Sequence, residues 1–255
     1  MSDIRPLIFI SNDDGFRAKG INELISVLKP QYDIIIVAPD SARSGASCAI
    51  TSAIPVNLKM IKDEPGLKIY SCSGTPVDCV KLGLQEASPR RPDLIIGGIN
   101  HGENDGPNVH YSGTMGIVME GCMKGIPSIG FSLQTFDSDA DFSDCLPYCS
   151  RIVAKAIERG IPQGVCLNVN FPYGQPIRGI RICTQARGLW TNEWKKVDCP
   201  RGGSTYWLVG DYSNTEPESE AIDDWAMRQG YAAITPIQVD MTAYSAIQQL
   251  KDWHL

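Results

Sequence analysis

Several things are missing from this 255-residue chain, and each absence excludes a class of protein. Nine cysteines occur, at positions 48, 72, 79, 122, 145, 149, 166, 183 and 199, yet no two are spaced Cys-x-x-Cys. That rules out a zinc ribbon, and the odd count without a secretory leader rules out a disulfide scaffold. Most lie inside apolar stretches, as in Val165-Cys166-Leu167, where cysteine acts as a small buried hydrophobe. There are only three histidines, His101, His110 and His254, none at zinc-motif spacing. Lysine and arginine gather into no stripe, and 23 basic against 29 acidic residues leave a net charge of −6. Long nucleic acid is therefore not expected as a partner, because that affinity comes from neutralised phosphates. No aliphatic run outlasts stretches such as Ile34-Ile35-Ile36-Val37-Ala38, far short of the roughly 20 residues of a membrane span. Met1-Ser2-Asp3 opens without the charge and apolar region of a signal peptide, so a cytoplasmic location is expected.

What is present is ordinary globular material: 43% hydrophobic and 20% charged residues, with 24 Gly and 17 Pro. Disorder, collagen and coiled coil are excluded. The length corresponds to about 1.7 domains of roughly 150 residues, which fits one large α/β domain or a domain with an appendage.

Short aliphatic runs alternate with helical patterns over the first two-thirds, the signature of βαβ units and a parallel sheet. Strands are expected at Leu7–Ser11, Asp33–Ala38, Leu67–Ser71, Asp93–Gly98, Ile126–Leu133 and Val165–Asn170, the last closing the regular core. Ile54, Val56, Leu58 and Met60 alternate with polar residues and Pro55, which predicts a half-exposed strand. Helices are expected where Ile21, Leu24, Ile25 and Leu28 share a face, after Thr75-Pro76 with Asp78 in the first turn, over Met115–Cys122, and from Leu146 to Gly160. Beyond about residue 185 the pattern loosens, with Trp190, Trp194, Tyr206 and Trp207 among Gly and charged residues, and this part reads as an appendage; aromatic-rich extensions of this kind often pack against another subunit, which composition alone does not establish. Order returns in a helix near 222–229, a strand near 231–237 and a last helix ending close to Trp253.

Ligands of parallel α/β sheets bind beyond the carboxyl ends of the strands, so the loops found there hold the chemistry. After the first strand stands Ser11-Asn12-Asp13-Asp14-Gly15. In isolation it reads as a turn; at a strand tip leading to a crossover helix, its paired carboxylates suit a hard cation. After the second strand comes Asp40-Ser41-Ala42-Arg43-Ser44-Gly45-Ala46-Ser47, in which Ser44 offers a neutral oxygen and Arg43 suits either a phosphate or a surface carboxylate. After the Asp93–Gly98 strand comes Asn100-His101-Gly102-Glu103-Asn104, then Tyr111-Ser112-Gly113-Thr114 opening a helix. Such a start is either a plain N-cap or an anion site, with Gly113 admitting a close approach. Asn100 offers a carbonyl oxygen, and His101 is a surface residue or an aid to proton transfer. No Gly-Lys-Ser/Thr ending, no Gly-x-Gly-x-x-Gly fingerprint and no Gly-x-Ser-x-Gly elbow is present, which leaves metal-assisted chemistry on an anion.

Read in order, these motifs resemble the SurE (survival protein E) family of metal-dependent 5′/3′-nucleotidases. They are Ile8-Phe9-Ile10-Ser11-Asn12-Asp13-Asp14-Gly15, Val37-Ala38-Pro39 with Arg43-Ser44-Gly45-Ala46-Ser47, Ser73-Gly74-Thr75-Pro76-Val77-Asp78, Gly98-Ile99-Asn100-His101-Gly102-Glu103-Asn104 and Tyr111-Ser112-Gly113-Thr114, with Gly230-Tyr231, Thr235-Pro236 and Asp240-Met241-Thr242-Ala243 near the end. The resemblance implies a Rossmann-like three-layer α/β/α core over 1–185 and a C-terminal hairpin and helix extension over 186–255 that exchanges between subunits, giving a homodimer or homotetramer. It implies one divalent ion per subunit, Mg²⁺ or Mn²⁺ with Ca²⁺ able to occupy the site, held by Asp13, Asp14, Ser44 and Asn100. Asp13, Asp14, Asn100 and Ser112 are then catalytic, and Asn12, Gly45, Asn104, Ser112, Gly113 and Thr114 contact phosphate or substrate. Pro107-Asn108 stands where acidic residues are common in the family, and Cys48 where a polar residue is expected. The expected activity is release of phosphate from nucleoside 5′- and 3′-monophosphates, short polyphosphate being left open, by attack of water or through an aspartyl-phosphate. The alternative is a nucleotide- or polyphosphate-sensing module with the same pocket and no turnover.

Overall fold

In a computed structural model, which describes residues 5–200 and 202–253, the aliphatic runs become strands covered on both faces. β1 (Leu7–Ser11) and β2 (Asp33–Pro39) are linked by helix α1 (Lys19–Leu28). β3 (Leu58–Glu64) and β4 (Leu67–Cys72) form a hairpin, and helix α2 (Pro76–Leu82), extended by a π turn over Gly83–Ala87, leads to β5 (Leu94–His101). A 3-10 turn over Gly106–His110 precedes helix α3 (Gly113–Met123), followed by β6 (Ser128–Leu133), helix α4 (Leu146–Arg159) and β7 (Val165–Phe171). The remainder holds short strands β8 (Ile180–Ile182), β9 (Gly188–Thr191), β10 (Trp194–Asp198), β11 (Ser204–Leu208) and β12 (Asp211–Asn214). It ends in helix α5 (Asp223–Arg228), strand β13 (Ala232–Gln238) and helix α6 (Ile247–Lys251).

Nine strands make one sheet in the order β3-β4-β2-β1-β5-β6-β7-β13-β8. From β4 to β7 every neighbour is parallel, and β3 and β13 pair antiparallel to β4 and β7. Successive side chains of a strand face opposite ways, so Ile8, Ile10, Ile34 and Ile36 pack with Ile21, Leu24 and Leu28 of α1 and with Cys149, Ile152 and Val153 of α4. On the other face Phe9, Ile35 and Val37 meet Cys79 and Val80 of α2 and Ile117 of α3. The result is the expected α/β/α layering, which accounts for strands that are apolar throughout rather than alternating. Two satellite ribbons, β10 with β11 and β9 with β12, stand outside the sheet. Among the described residues, no helix is long and apolar enough to cross a membrane.

Three expectations change. The alternating stretch from Ile54 is not strand at its start: β3 begins at Leu58, opposite Cys72, because β4 ends there and residues 54–57 have no partner strand. The 126–133 segment enters the sheet only at Ser128, after Pro127, which has no N–H to donate. Val165–Asn170 is not the last strand of the sheet either. β13 returns from the chain's far end and inserts between β7 and β8, pairing Ala233 with Asn170 through to Gln238 with Val165. His254 lies outside the described residues.

Chain direction in the sheet sets the location of the site. From β1 the chain moves outward through β2 to β4, then returns to β5 on the other side and continues to β6 and β7. The crevice between β1 and β5 is therefore the point where strand order reverses, and loops there splay apart to admit a ligand.

Candidate functional site

At that crevice Asp13, just beyond β1, is only 4% exposed. Its Oδ1 accepts a 2.6 Å hydrogen bond from Thr114 Oγ1 in the first turn of α3. Asp14 is half-buried beside it, and its Oδ2 accepts from the backbone N–H of His101 at 3.3 Å and lies 3.5 Å from His101 Nδ1. Burial pushes the Asp13 carboxyl up to about 6, and the neighbouring Asp14 charge adds to the push against the opposing bond from Thr114. Among the described residues neither carboxylate is paired with a lysine or arginine.

Glycine permits this crowding. A Cβ on Gly113 would stand 2.8 Å from Asp13 Cβ, and Gly15 sits at φ +101°, a conformation that side chains rarely adopt. Asn12 serves the turn itself: its Nδ2 donates to Gly15 O at 3.0 Å and its Oδ1 accepts from Gly15 N at 3.1 Å. Both polar atoms are thus used, and Asn12 does not reach the cavity wall.

Asn100, at the end of β5, donates through Nδ2 to Gly102 O at 2.8 Å, which leaves its amide oxygen as the free polar atom. Asn104 is locked by the tips of β6 and β7. Its Nδ2 donates to Ser132 Oγ at 2.8 Å, its N–H to Asn170 Oδ1 at 2.7 Å, and its carbonyl accepts from Asn168 Nδ2 at 2.7 Å. Ser112 caps α3, its Oγ accepting from Met115 N at 3.0 Å. The 40–47 loop reaches the same place because Arg43 N donates to the Asp13 carbonyl at 2.7 Å and Ser47 N to the Tyr111 carbonyl at 3.1 Å. Ser44 and Gly45 are exposed at its tip. The Arg43 guanidinium turns away, toward Ser73 O and Asp40.

These residues enclose one side of a cavity of about 640 Å³ that Asp13, Asp14, Ser44, Gly45, Asn100, Asn104 and Ser112 all line. Gly113 and Thr114 stand behind Asp13 rather than on the wall. The other side is Tyr111, Phe136, Trp190, Leu208 and Val209, with Glu103 and Glu193. Sequence reasoning placed no cavity role on 190–209, whose contacts join residues far apart in the chain. Trp190 Nε1, for instance, donates to Asn108 Oδ1 at 3.0 Å across 82 positions.

The residues present fit a divalent cation: two adjacent carboxylates, one of them buried and deprived of a counter-charge, together with neutral oxygens on Ser44 and Asn100. Among the described residues no cluster of three or more His, Cys, Asp or Glu has metal-holding geometry, so any such ion here depends on those neutral oxygens.

A second buried acidic group props up the cavity from behind. Asp223 is fully buried, and burial raises its carboxyl against the opposing bonds it accepts from Ala186 N at 2.8 Å, Gly106 N at 3.1 Å, Asp224 N at 2.9 Å and Thr235 Oγ1 at 3.3 Å. Asp105 accepts only a long bond from Asn108 Nδ2, and burial, then the Asp223 charge, push its carboxyl up to about 8. A folded-state value raised above 3.8 means that stability is full at acid pH and is lost as pH rises toward 8. Asp105→Asn keeps the acceptor for Asn108 and is expected to be more stable than the parent at pH 8.5, by on the order of several kcal/mol, and no more stable than the parent at pH 4. Thermal melts at the two pH values check this, and an equal gain at both would exclude the ionisation as its cause.

A doubly wound sheet whose reversal point gathers paired carboxylates, amide oxygens and a helix N-terminus defines an α/β protein with a polar ligand site at its strand tips. The sequence model described as "Survival protein SurE" matches residues 8–192. A protein of Phocaeicola vulgatus named 5′-nucleotidase SurE is 56% identical over 255 residues, covering 100% of this chain and 99% of that one. One of the same name from Flavobacterium johnsoniae is 44% identical over 258 residues, with 100% and 99% covered. The crystal structure of the SurE protein from Aquifex aeolicus superposes with a TM-score of 0.83 at 35% identity, over 98% of this chain and 100% of that one. The chain belongs to the survival protein SurE family.

Proposed function

We propose that the chain is a divalent-metal-dependent 5′-nucleotidase that hydrolyses nucleoside 5′-monophosphates, and 3′-monophosphates with them, to nucleoside and phosphate. The observation that carries this reading is the buried Asp13 carboxylate beside Asp14, facing the N-terminus of α3 with, among the described residues, no lysine or arginine paired to neutralise it. The names of the full-length relatives support it, and they disfavour a module that only senses nucleotides.

In this reading Asp13, Asp14, Ser44 and Asn100 hold one Mg²⁺ or Mn²⁺ per subunit, with Ca²⁺ able to take the place. When bound, the ion supplies positive charge for the phosphoryl oxygens. Thr114 fixes one oxygen of Asp13, and Gly102 fixes the amide of Asn100 so that its carbonyl oxygen is presented. Ser112 accepts from its own helix and so keeps its hydroxyl proton for a phosphoryl oxygen, while the N–H groups of Gly113 and Thr114 at the helix start favour the anion. Asn104, held by its bonds to Ser132 and Asn170, steadies the phosphate, and Gly45 meets it from the tip of the 40–47 loop. Asn12 contributes through the shape of the turn. Water attacks phosphorus in line as the bond to the nucleoside oxygen breaks. An aspartyl-phosphate trapped during turnover would overturn attack by water.

Residues 1–185 are the catalytic core in this reading, and 186–255 an oligomerisation extension that exchanges between subunits of a homodimer or homotetramer. Exposed Trp194, Tyr206 and Trp207 on the β10–β11 ribbon support an interface there. A monomeric mass by light scattering would remove that part. All nine cysteines are free, in keeping with a reducing, cytoplasmic location.

The test is phosphate release from a panel of nucleoside monophosphates. Activity is expected with Mg²⁺ or Mn²⁺, to fall on the order of a hundredfold or more in EDTA, and to return when the metal is restored. Activity that survives exhaustive chelation would sink the metal site, and no release from any nucleotide would return the sensing module to favour.

A further inference from the structure

The residues assigned above to metal and phosphate line one side of a cavity of about 640 Å³, a volume suited to a whole small molecule. The opposite side is aromatic. Trp190 is held in place at three points: its Nε1 donates to Asn108 Oδ1 at 3.0 Å, its ring lies 5.6 Å from that of Tyr212, and Gly210 packs so closely that a Cβ there would stand 2.9 Å from Trp190 Cε3. Asn108 is itself tied through Nδ2 to Asp105. The indole is thus a rigid wall whose polar edge is already satisfied, which leaves its π face for a ligand. Phe136 and Tyr111 line the same cavity, and Phe136 is 81% exposed where it lies over Gly102. Exposed aromatic rings on a cavity wall suit a planar π system, which gains from stacking whatever its edge pattern. Glu103 and Glu193 also line the cavity and oppose a second anionic group, while offering acceptors to ribose hydroxyls or exocyclic amines.

We propose that Trp190, with Phe136 and Tyr111, forms a nucleobase platform that makes nucleoside phosphates, rather than polyphosphate chains or aliphatic phosphate esters, the substrates of this site. The proposal rests on the phosphatase reading for its substrate, but the platform itself can be tested without phosphate. Adenosine titrated calorimetrically into the full chain is expected to bind, with a Kd raised about tenfold or more by Trp190→Ala and largely recovered in Trp190→Phe, which keeps a ring. In the same proteins the ratio of kcat/KM for adenosine 5′-monophosphate to that for glycerol 3-phosphate is expected to fall about tenfold in Trp190→Ala, chiefly through KM, and to recover in Trp190→Phe. A Trp190→Ala protein that binds adenosine as tightly as the parent, or a parent that does not bind it, would overturn the platform. Adenosine binding that depends on Trp190 without any hydrolysis of the nucleotide would uphold the platform and refute the phosphatase reading instead.

Discussion

Replacing Asp13 by Asn is expected to abolish turnover and, in the same protein freed of metal, to raise the melting temperature at neutral pH. Both effects come from one carboxylate. Asn keeps the oxygen that accepts from Thr114 Oγ1, so the turn and the start of α3 are preserved, while the negative charge that would hold a divalent ion is gone. A loss in kcat on the order of a thousandfold or more follows when the charge at a reaction centre can no longer be assembled. The stability gain has the opposite sign because burial raises the Asp13 carboxyl from 3.8 to about 6. Below about pH 4 the folded and unfolded chains both carry the proton and the substitution changes little. Between 4 and 6 the unfolded chain releases it first, and the folded state loses stability; above 6 the full cost applies. Two units correspond to an upper figure of about 3 kcal/mol. Melts in EDTA at pH 4 and pH 8, together with initial rates at saturating Mn²⁺, measure the two effects. If the substitution lowered the melting point of the metal-free protein at pH 8, the idea of a stranded charge would be lost; if it left the rate intact, Asp13 would have no part in the reaction.

The strand tips could be read from the sequence because three levels of pattern coincide there. Aliphatic runs mark the parallel strands, polar clusters follow each run, and in such a sheet the carboxyl ends face one way, so Asp13, Asp14, Ser44, Asn100 and Ser112 meet by topology alone. Asn12 shows the limit of that logic. An Asn beside two Asp and a Gly looks the same whether it binds a ligand or closes the turn, and only the two bonds to Gly15 decide. The aromatic wall was hidden for a different reason. Trp190 and Leu208 lie on short ribbons without a regular period, with Val209 just beyond, and their value depends on contacts such as Trp190 to Asn108 that no local pattern encodes. β13 was legible as a strand but its place was not, since period reports the faces of a strand and says nothing of its neighbours.

The largest structural effect is expected from Gly98→Ala, a single methyl. Between the pairs Gly97–Gly130 and Asn100–Ser132, β5 advances three residues while β6 advances two, so β5 carries one extra residue just before the site. Gly98 takes it up at φ +113°, a conformation that a side chain rarely adopts, and with a Cβ there the new carbon would overlap the Phe131 carbonyl oxygen of the neighbouring strand. Neither strain can relax without moving β6, whose Phe131 is fully buried in the main core. A cost of about 3 kcal/mol or more is expected, which for a chain of this size lowers the melting temperature by roughly 6 °C or more. If β5 instead expels the bulge, its register slips by one residue and the side chains beyond it exchange faces, which carries Asn100 away from Asp13 and His101 away from Asp14. Activity should therefore fall more steeply than stability, and it should remain low at temperatures where the variant is still folded. Gly45→Ala provides the comparison: φ is +74° there too, but nothing lies within 4 Å of a Cβ, so only the backbone term of about 1 kcal/mol is expected. Should the two variants melt together, the close approach to Phe131 would contribute nothing, and the bulge could not be what aims Asn100 into the cavity.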